Sequence, residues 1–176
     1  MIILMGVAGA GKSMQGRILA DEKGYAWIST GEILRVLVTG KRRQEMLEGK
    51  LLSDAEMIRM IDKVLDLINL NEEFIFDGFP RTVKQAEWLM DQIHLERFKI
   101  SAVFHLTSSE EVVLERLKKR GRTDDTDAAI RNRFDEYKAV TLPIIADFKA
   151  NGVPVYDIDG SGTPQEVHDQ ILSHVQ

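Results

Sequence analysis

The chain has 176 residues, which suits one domain with a continuous core and is short for two independently folded halves. Apolar residues make up 44% and charged residues 29%, values that exclude disorder and fibrous repeats. The net charge of −5 argues against a general nucleic-acid binder, which needs a basic face, and the absence of cysteine excludes disulfides, a thiol nucleophile and cysteine-ligated zinc.

The first element is Met1-Ile2-Ile3-Leu4-Met5, an apolar run interrupted by Gly6. It has no basic leader and is too short for a signal peptide or a membrane span, so it reads as a buried strand near 2–6 in a cytoplasmic protein without a membrane partner. Further strands are expected near 26–28, 73–77, 101–106 and 153–157, separated by long amphipathic stretches. This alternation predicts an α/β fold, a three-layer P-loop NTPase type with a five-stranded parallel sheet and helices on both faces. The clearest helix is expected over 53–69. Ser53 is its N-cap, Glu56 follows three residues on, and Met57, Ile58, Ile61, Val64, Leu65 and Ile68 recur at helical spacing. Helical segments at about 31–39 and 41–49 make the excursion between the second and third strands too long for a simple crossover. With no linker or repeat, residues 1–176 read as a single domain carrying inserted helices at about 30–65.

Three clusters carry chemistry. Gly6-Val7-Ala8-Gly9-Ala10-Gly11-Lys12-Ser13 matches the phosphate-loop pattern and lies between a predicted strand and a predicted helix. Its glycines let successive backbone N–H groups turn inward, the helix presents its positive end, Lys12 adds a cation at the β and γ phosphates, and Ser13 offers a hydroxyl to Mg²⁺. In Phe74-Ile75-Phe76-Asp77-Gly78-Phe79-Pro80-Arg81-Thr82 a buried strand ends in an acid, then a glycine turn and an arginine. At the carboxyl edge of a parallel sheet, Asp77 can hold hydrated Mg²⁺ and Arg81 can reach a phosphate. Arg116, Lys118, Lys119, Arg120, Arg122, Arg131 and Arg133 form the third cluster, read either as a solvated face or as a clamp on phosphate oxygens. Thr30 and Arg35, at a helix start, are equally open between an N-cap with a solvated arginine and a binding role.

The segments GVAGAGKS, ISTGEILR, EGKLLSD, FIFDGFPRTVKQAEWL, LERLKKRGRTDDTD and IRNRFDEY, in this order, resemble adenylate kinases almost from end to end. The resemblance implies transfer of the γ-phosphoryl of Mg-ATP to AMP by a monomer, with Mg²⁺ as cofactor and nucleotides as its small-molecule partners. It implies an ATP phosphate cradle from Gly9, Ala10, Gly11, Lys12, Ser13 and Met14, with Arg116 on the adenine and Gly162 bordering it. Thr30, Arg35, Lys50, Leu51, Leu52, Gly78, Phe79, Pro80, Arg81 and Gln85 match the AMP site. Arg120, Arg122 and Arg133 match the arginines around the transferring phosphoryl, and together with Lys12 and Arg81 they form the expected catalytic set. Thr30 and Gln85 favour adenine, since an amide offers one donor and one acceptor to that base.

Two departures from the family pattern stand out. Lys12-Ser13-Met14 replaces the usual Lys-Gly-Thr, moving the hydroxyl one position earlier, and the lid, at about 120–126, is shorter than in short-lid members. A short lid predicts leakage of ATP to water. Alternative readings are a UMP/CMP or other monophosphate kinase and an adenylate-binding sensor with little turnover. A GTP switch is disfavoured because no Asn-Lys-x-Asp stretch occurs. The four histidines show no metal-ligand spacing and receive no function, while Trp27 and Trp88 read as packing residues.

Overall fold

The computed structural model describes residues 1–40, 52–121 and 126–175. In chain order these form β1 (Ile2–Met5), α1 (Lys12–Lys23), β2 (Ala26–Ser29), α2 (Thr30–Leu37), α3 (Asp54–Leu65), β3 (Phe74–Asp77) and α4 (Val83–His94). There follow β4 (Ala102–Thr107), α5 (Glu110–Arg120), α6 (Asp127–Glu136), a π-helical turn (Tyr137–Thr141), α7 (Leu142–Ala150), β5 (Val155–Asp159) and α8 (Pro164–Leu172). The expected helix at 41–49 lies outside the described residues.

The strands form one parallel sheet in the order β2-β3-β1-β4-β5. Alternation along β1 explains the three layers. Ile3 and Met5 enter one core with Phe74, Phe76, Ile61, Leu89 and Phe148, whereas Ile2 and Leu4 enter another with Leu19, Phe104, Leu117, Phe134 and Ile171. A strand covered on both faces must be apolar at every position, and all four residues of β1 are buried. The chain leaves β1 first toward β2 and β3, and later returns to its other side through β4 and β5. This reversal opens a crevice at the carboxyl ends of β3, β1 and β4, where α/β sheets hold their ligands.

Helix α3 begins as its sequence predicts. Ser53 accepts from the Glu56 N–H at 3.3 Å and Glu56 Oε2 accepts from the Ser53 N–H at 2.9 Å, a complete capping box. It stops at Leu65 and does not reach 69: the Leu67 and Ile68 N–H groups bond three residues back, to the Val64 and Leu65 carbonyls at 3.1 and 3.4 Å, and the chain then turns at Asn69, whose Oδ1 accepts from the Asn71 N–H at 3.1 Å. Ile68 still packs on the core after the helix has ended, so the apolar spacing outlasts the helix.

The π-helical turn joins two helices that face different layers. Helix α6 places Ile130 and Phe134 in the layer of α1, while α7 places Ile144, Ile145 and Phe148 in the other. Tyr137 opens the turn and its hydroxyl hydrogen-bonds Nε2 of buried His105. His105 Nδ1 pairs with Asp157 Oδ1 at 2.7 Å, and Lys149 Nζ donates to Asp157 Oδ2 at 2.7 Å. His168 is also structural, bonded to Gln15 and Glu22 between α8 and α1.

Candidate active site

The loop after β1 is a close-packed turn. Gly6 has φ +139°, and a Cβ there would lie 2.3 Å from the Leu106 carbonyl oxygen, so only glycine lets the loop lie on the end of β4. The loop closes into α1 through Gly11 in the left-handed region. Lys12 curls back over it and donates to the Gly6 and Val7 carbonyls at 2.7 and 2.8 Å. Burial pulls the Lys12 ammonium from its ordinary 10.5 down to about 8; the Asp77 carboxylate opposes this and the Arg81 and Arg120 charges add to it. The cation is therefore held among like charges by two carbonyls, as expected where several anionic oxygens are to arrive. Met14 contributes no side chain inward and is 54% exposed.

Asp77 ends β3 opposite Leu4 and is almost fully buried. Its Oδ2 accepts from the Ser13 hydroxyl at 2.6 Å and from the Ser29 hydroxyl at 3.0 Å, joining the start of α1 and the ends of β2 and β3. Ser29 is the N-cap of α2 and makes no side-chain cap. That corrects the N-cap reading of Thr30, which is the first residue of the helix. The Thr30 hydroxyl donates toward the carbonyls of Gly78 at 3.0 Å and Asp77 at 3.3 Å. Gly78, at φ +83°, leaves room where a Cβ would fall 2.7 Å from Arg81 Nη2 and 2.8 Å from Thr30 Oγ1.

Arg81 donates from Nε to the Gly78 carbonyl at 2.8 Å. Burial lowers its pKa from the ordinary value; Asp77 and Glu136 oppose, and the Arg133 and Arg35 charges add to the lowering. The charges of Asp77, Arg81 and Arg120 thus reach Lys12, and those of Asp77, Glu136, Arg133 and Arg35 reach Arg81. The Arg81 side chain still reaches water, so an incoming phosphate has access to it. Arg35 is paired with Glu32 at 2.6 Å, and Gln85 is buried behind Arg81, accepting from its backbone N–H at 2.8 Å. Leu52 is half-buried ahead of α3. Phe79 and Pro80 are joined by a cis peptide bond. The Phe79 ring packs in the core against Phe76 and Trp88, so this residue faces the crevice only through its backbone.

At the other end of the P-loop, Arg116 Nη1 donates to the Gly160 carbonyl at 2.6 Å, and Nη2 donates to those of Ser161 and Gly162 at 3.3 and 3.2 Å. A shallow recess runs along this contact, lined by Val112, Glu115, Arg116, Lys119 and Ser161. Gly160 also approaches the Ala10 carbonyl so closely that a Cβ would lie 2.8 Å away, which ties this loop to the P-loop. Lys50, Leu51 and Arg122 lie outside the described residues. No helix among the described residues is long and apolar enough to cross a membrane.

The role of Gly160 is invisible in the sequence, because it needs the β4–β5 adjacency to be known.

Comparison with known proteins agrees with this geometry. The family model for adenylate kinase matches residues 4–153. An adenylate kinase of Corynebacterium urealyticum is 33% identical over 177 residues, covering 97% of this chain and 96% of its own. One from Leptospira biflexa is 35% identical, with 99% and 98% covered, and one from Maricaulis maris is 38% identical, with 94% and 93% covered. With a P-loop, an acid-ended β3 and converging arginines at the switch point of a β2-β3-β1-β4-β5 sheet, the chain belongs to the adenylate kinase family.

Proposed function

We propose that the protein transfers the γ-phosphoryl group of Mg-ATP to AMP, giving two molecules of ADP. The feature that carries this reading is the P-loop beside the acid-ended β3: Lys12 curls over the loop, Ser13 bonds Asp77, the charges of Asp77, Arg81 and Arg120 reach Lys12, and those of Asp77, Glu136, Arg133 and Arg35 reach Arg81. Arginines and a lysine gathered at the switch point of the sheet suit the many phosphate oxygens that two nucleotides bring together. In the transfer, an oxygen of the AMP phosphate attacks the γ phosphorus. The bond to the β–γ bridging oxygen breaks, and its electron pair leaves with ADP. No general base is required because the acceptor oxygen is already anionic. The protein contributes position and charge: Lys12 and the P-loop N–H groups on the donor phosphates, Arg81 and Arg35 on the acceptor phosphate, and Arg120 and Arg133 between them, with Arg122 completing the set.

Ser13 and Asp77 fit a magnesium ion. They place a hydroxyl and a carboxylate oxygen 2.6 Å apart at the mouth of the P-loop, hard oxygen donors too few for a protein cage and suited to an ion that keeps its waters and nucleotide oxygens. The ion supplies neutralisation of the triphosphate when bound. Arg116 and the Gly160–Gly162 loop offer a flat cation and backbone edge to the ATP base. Residues 30–65 form the acceptor-binding insert of one domain, and 120–126 a short lid.

A coupled assay with Mg-ATP against AMP, CMP, UMP, GMP and no acceptor tests the reading. Fast turnover with AMP and slow turnover with the pyrimidine monophosphates is expected. Equal rates with CMP or UMP would move the acceptor site to a broader kinase, and ATP binding without any transfer would leave only a nucleotide sensor.

A further inference from the structure

Gln85 is held at both ends of its amide. Oε1 accepts from the Arg81 N–H at 2.8 Å, and Nε2 donates to Asp54 Oδ1 at 2.8 Å, the same oxygen that takes the Thr82 hydroxyl at 2.8 Å. A backbone N–H only donates and a carboxylate only accepts, so these partners permit one orientation of the amide and forbid its flip. The amide has two N–H donors and two acceptor positions, and the two bonds take one of each. What remains is a donor and an acceptor in a fixed order.

Asp54 is spared from the usual work of its position. The N-terminus of α3 is already capped by Ser53 and Glu56, and the Asp54 side chain reaches across to Thr82 and Gln85 at the start of α4. We propose that Asp54 is a positioning residue that sets the polarity of the Gln85 amide, and through it the preference for a 6-aminopurine over a 6-oxopurine at the acceptor site. The inference rests on the reading that Gln85 faces the acceptor base. Adenine presents an amino donor beside a ring-nitrogen acceptor. A 6-oxopurine puts a carbonyl where that amino group was, so it meets the amide oxygen acceptor to acceptor. Losing the Asp54 acceptor removes one of the two bonds that hold the amide, so it turns more readily and accepts the wrong base.

The test compares kcat/KM for AMP and for inosine monophosphate, with saturating Mg-ATP, in the parent, Asp54→Asn, Asp54→Ala, Gln85→Leu and Ser53→Ala. The ratio of the two values is insensitive to the folded fraction, because both substrates report on the same active molecules. An asparagine amide carries both donor and acceptor and tolerates either orientation of Gln85, leaving only the Arg81 N–H to hold it, so Asp54→Asn should lower the AMP-to-inosine ratio roughly three- to tenfold, a part of what one bidentate base contact supplies. Asp54→Ala should lower it in the same direction, and the KM for ATP should stay within about twofold in both. Ser53→Ala should lower Tm and leave the ratio unmoved, separating loss of helix stability from loss of amide polarity. If both Asp54 variants keep the parent ratio while Gln85→Leu lowers it, Gln85 reads the base and Asp54 does not orient it. If Gln85→Leu also keeps the ratio, the base-reading role fails and the proposal falls with it.

Discussion

Replacing Lys12 by methionine should make the nucleotide-free protein more stable while destroying its activity. The fall in the Lys12 pKa from 10.5 to about 8 corresponds to about 3 kcal/mol of disfavoured charge, at about 1.36 kcal/mol per decade of proton affinity. The unfolded chain binds this proton more tightly than the folded one between those two values. Stability therefore rises with pH across that window, and at pH 7 the full cost is present. Lys12→Met removes the cost, but also removes two bonds to the Gly6 and Val7 carbonyls, worth about 1 kcal/mol each. The balance is about 1 kcal/mol of stabilisation at pH 7, or a Tm higher by about 2–4 °C for a chain of this size. Melting curves of both proteins at pH 7, 8.5 and 10 without nucleotide read the effect, since all other groups cancel in the difference. The gap should close or reverse as pH rises past about 8, because the parent then sheds its proton. Transfer should fall about a thousandfold, the scale of one lost transition-state contact of about 4 kcal/mol. A variant that melts below the parent at pH 7, or a gap that ignores pH, would refute the idea that the lysine is held charged against its surroundings.

Three further outcomes are expected. Gly78→Ala places a Cβ at 2.7 Å from Arg81 Nη2 and 2.8 Å from Thr30 Oγ1 in a left-handed conformation, so KM for AMP should rise at least about tenfold with KM for ATP little changed. Arg116→Ala removes the bonds to Gly160, Ser161 and Gly162, and steady-state kinetics should show the opposite split, a KM for ATP raised about tenfold and one for AMP unaffected. The short lid expected from the sequence at about 120–126 predicts that water competes with AMP, so ADP should form from Mg-ATP alone above the no-enzyme background. Rapid transfer with no such leak would show that other elements exclude water.

The strands were legible to within one or two residues, because the inner strands β1, β3 and β4 are covered on both faces and so carry nearly continuous apolar runs. The start of α3 was equally clear from Ser53 and Glu56, whose bonds are local. Its end was not, since Ile68 serves the same core from beyond the last helical turn, and periodicity cannot distinguish a buried residue in a helix from one in the turn after it. Thr30 was ambiguous because a hydroxyl at a helix start suits either a cap or a site, and only the proximity of Gly78, 48 positions on, decides. His105 carried no signal at all. Its partners Asp157 and Tyr137 are brought to it by the β4–β5 register and by a turn whose geometry no local pattern announces.

That turn works as a phase shifter. An α-helix advances about 100° per residue, so the one extra residue in the π-helical segment turns everything before it by about that angle relative to everything after it. Ile130 and Phe134 can therefore point to one side of the sheet while Ile144 and Phe148 point to the other, although an unbroken helix would set all four along a single stripe. Arg133 rides on the rotated half, with Tyr137, one helical turn further on, fastened at the pivot by His105. The direction in which this arginine faces is thus a matter of counting: shorten the segment by one residue and the guanidinium would turn to a different quarter of the molecule, unless Ile130 and Phe134 gave up their layer to follow it.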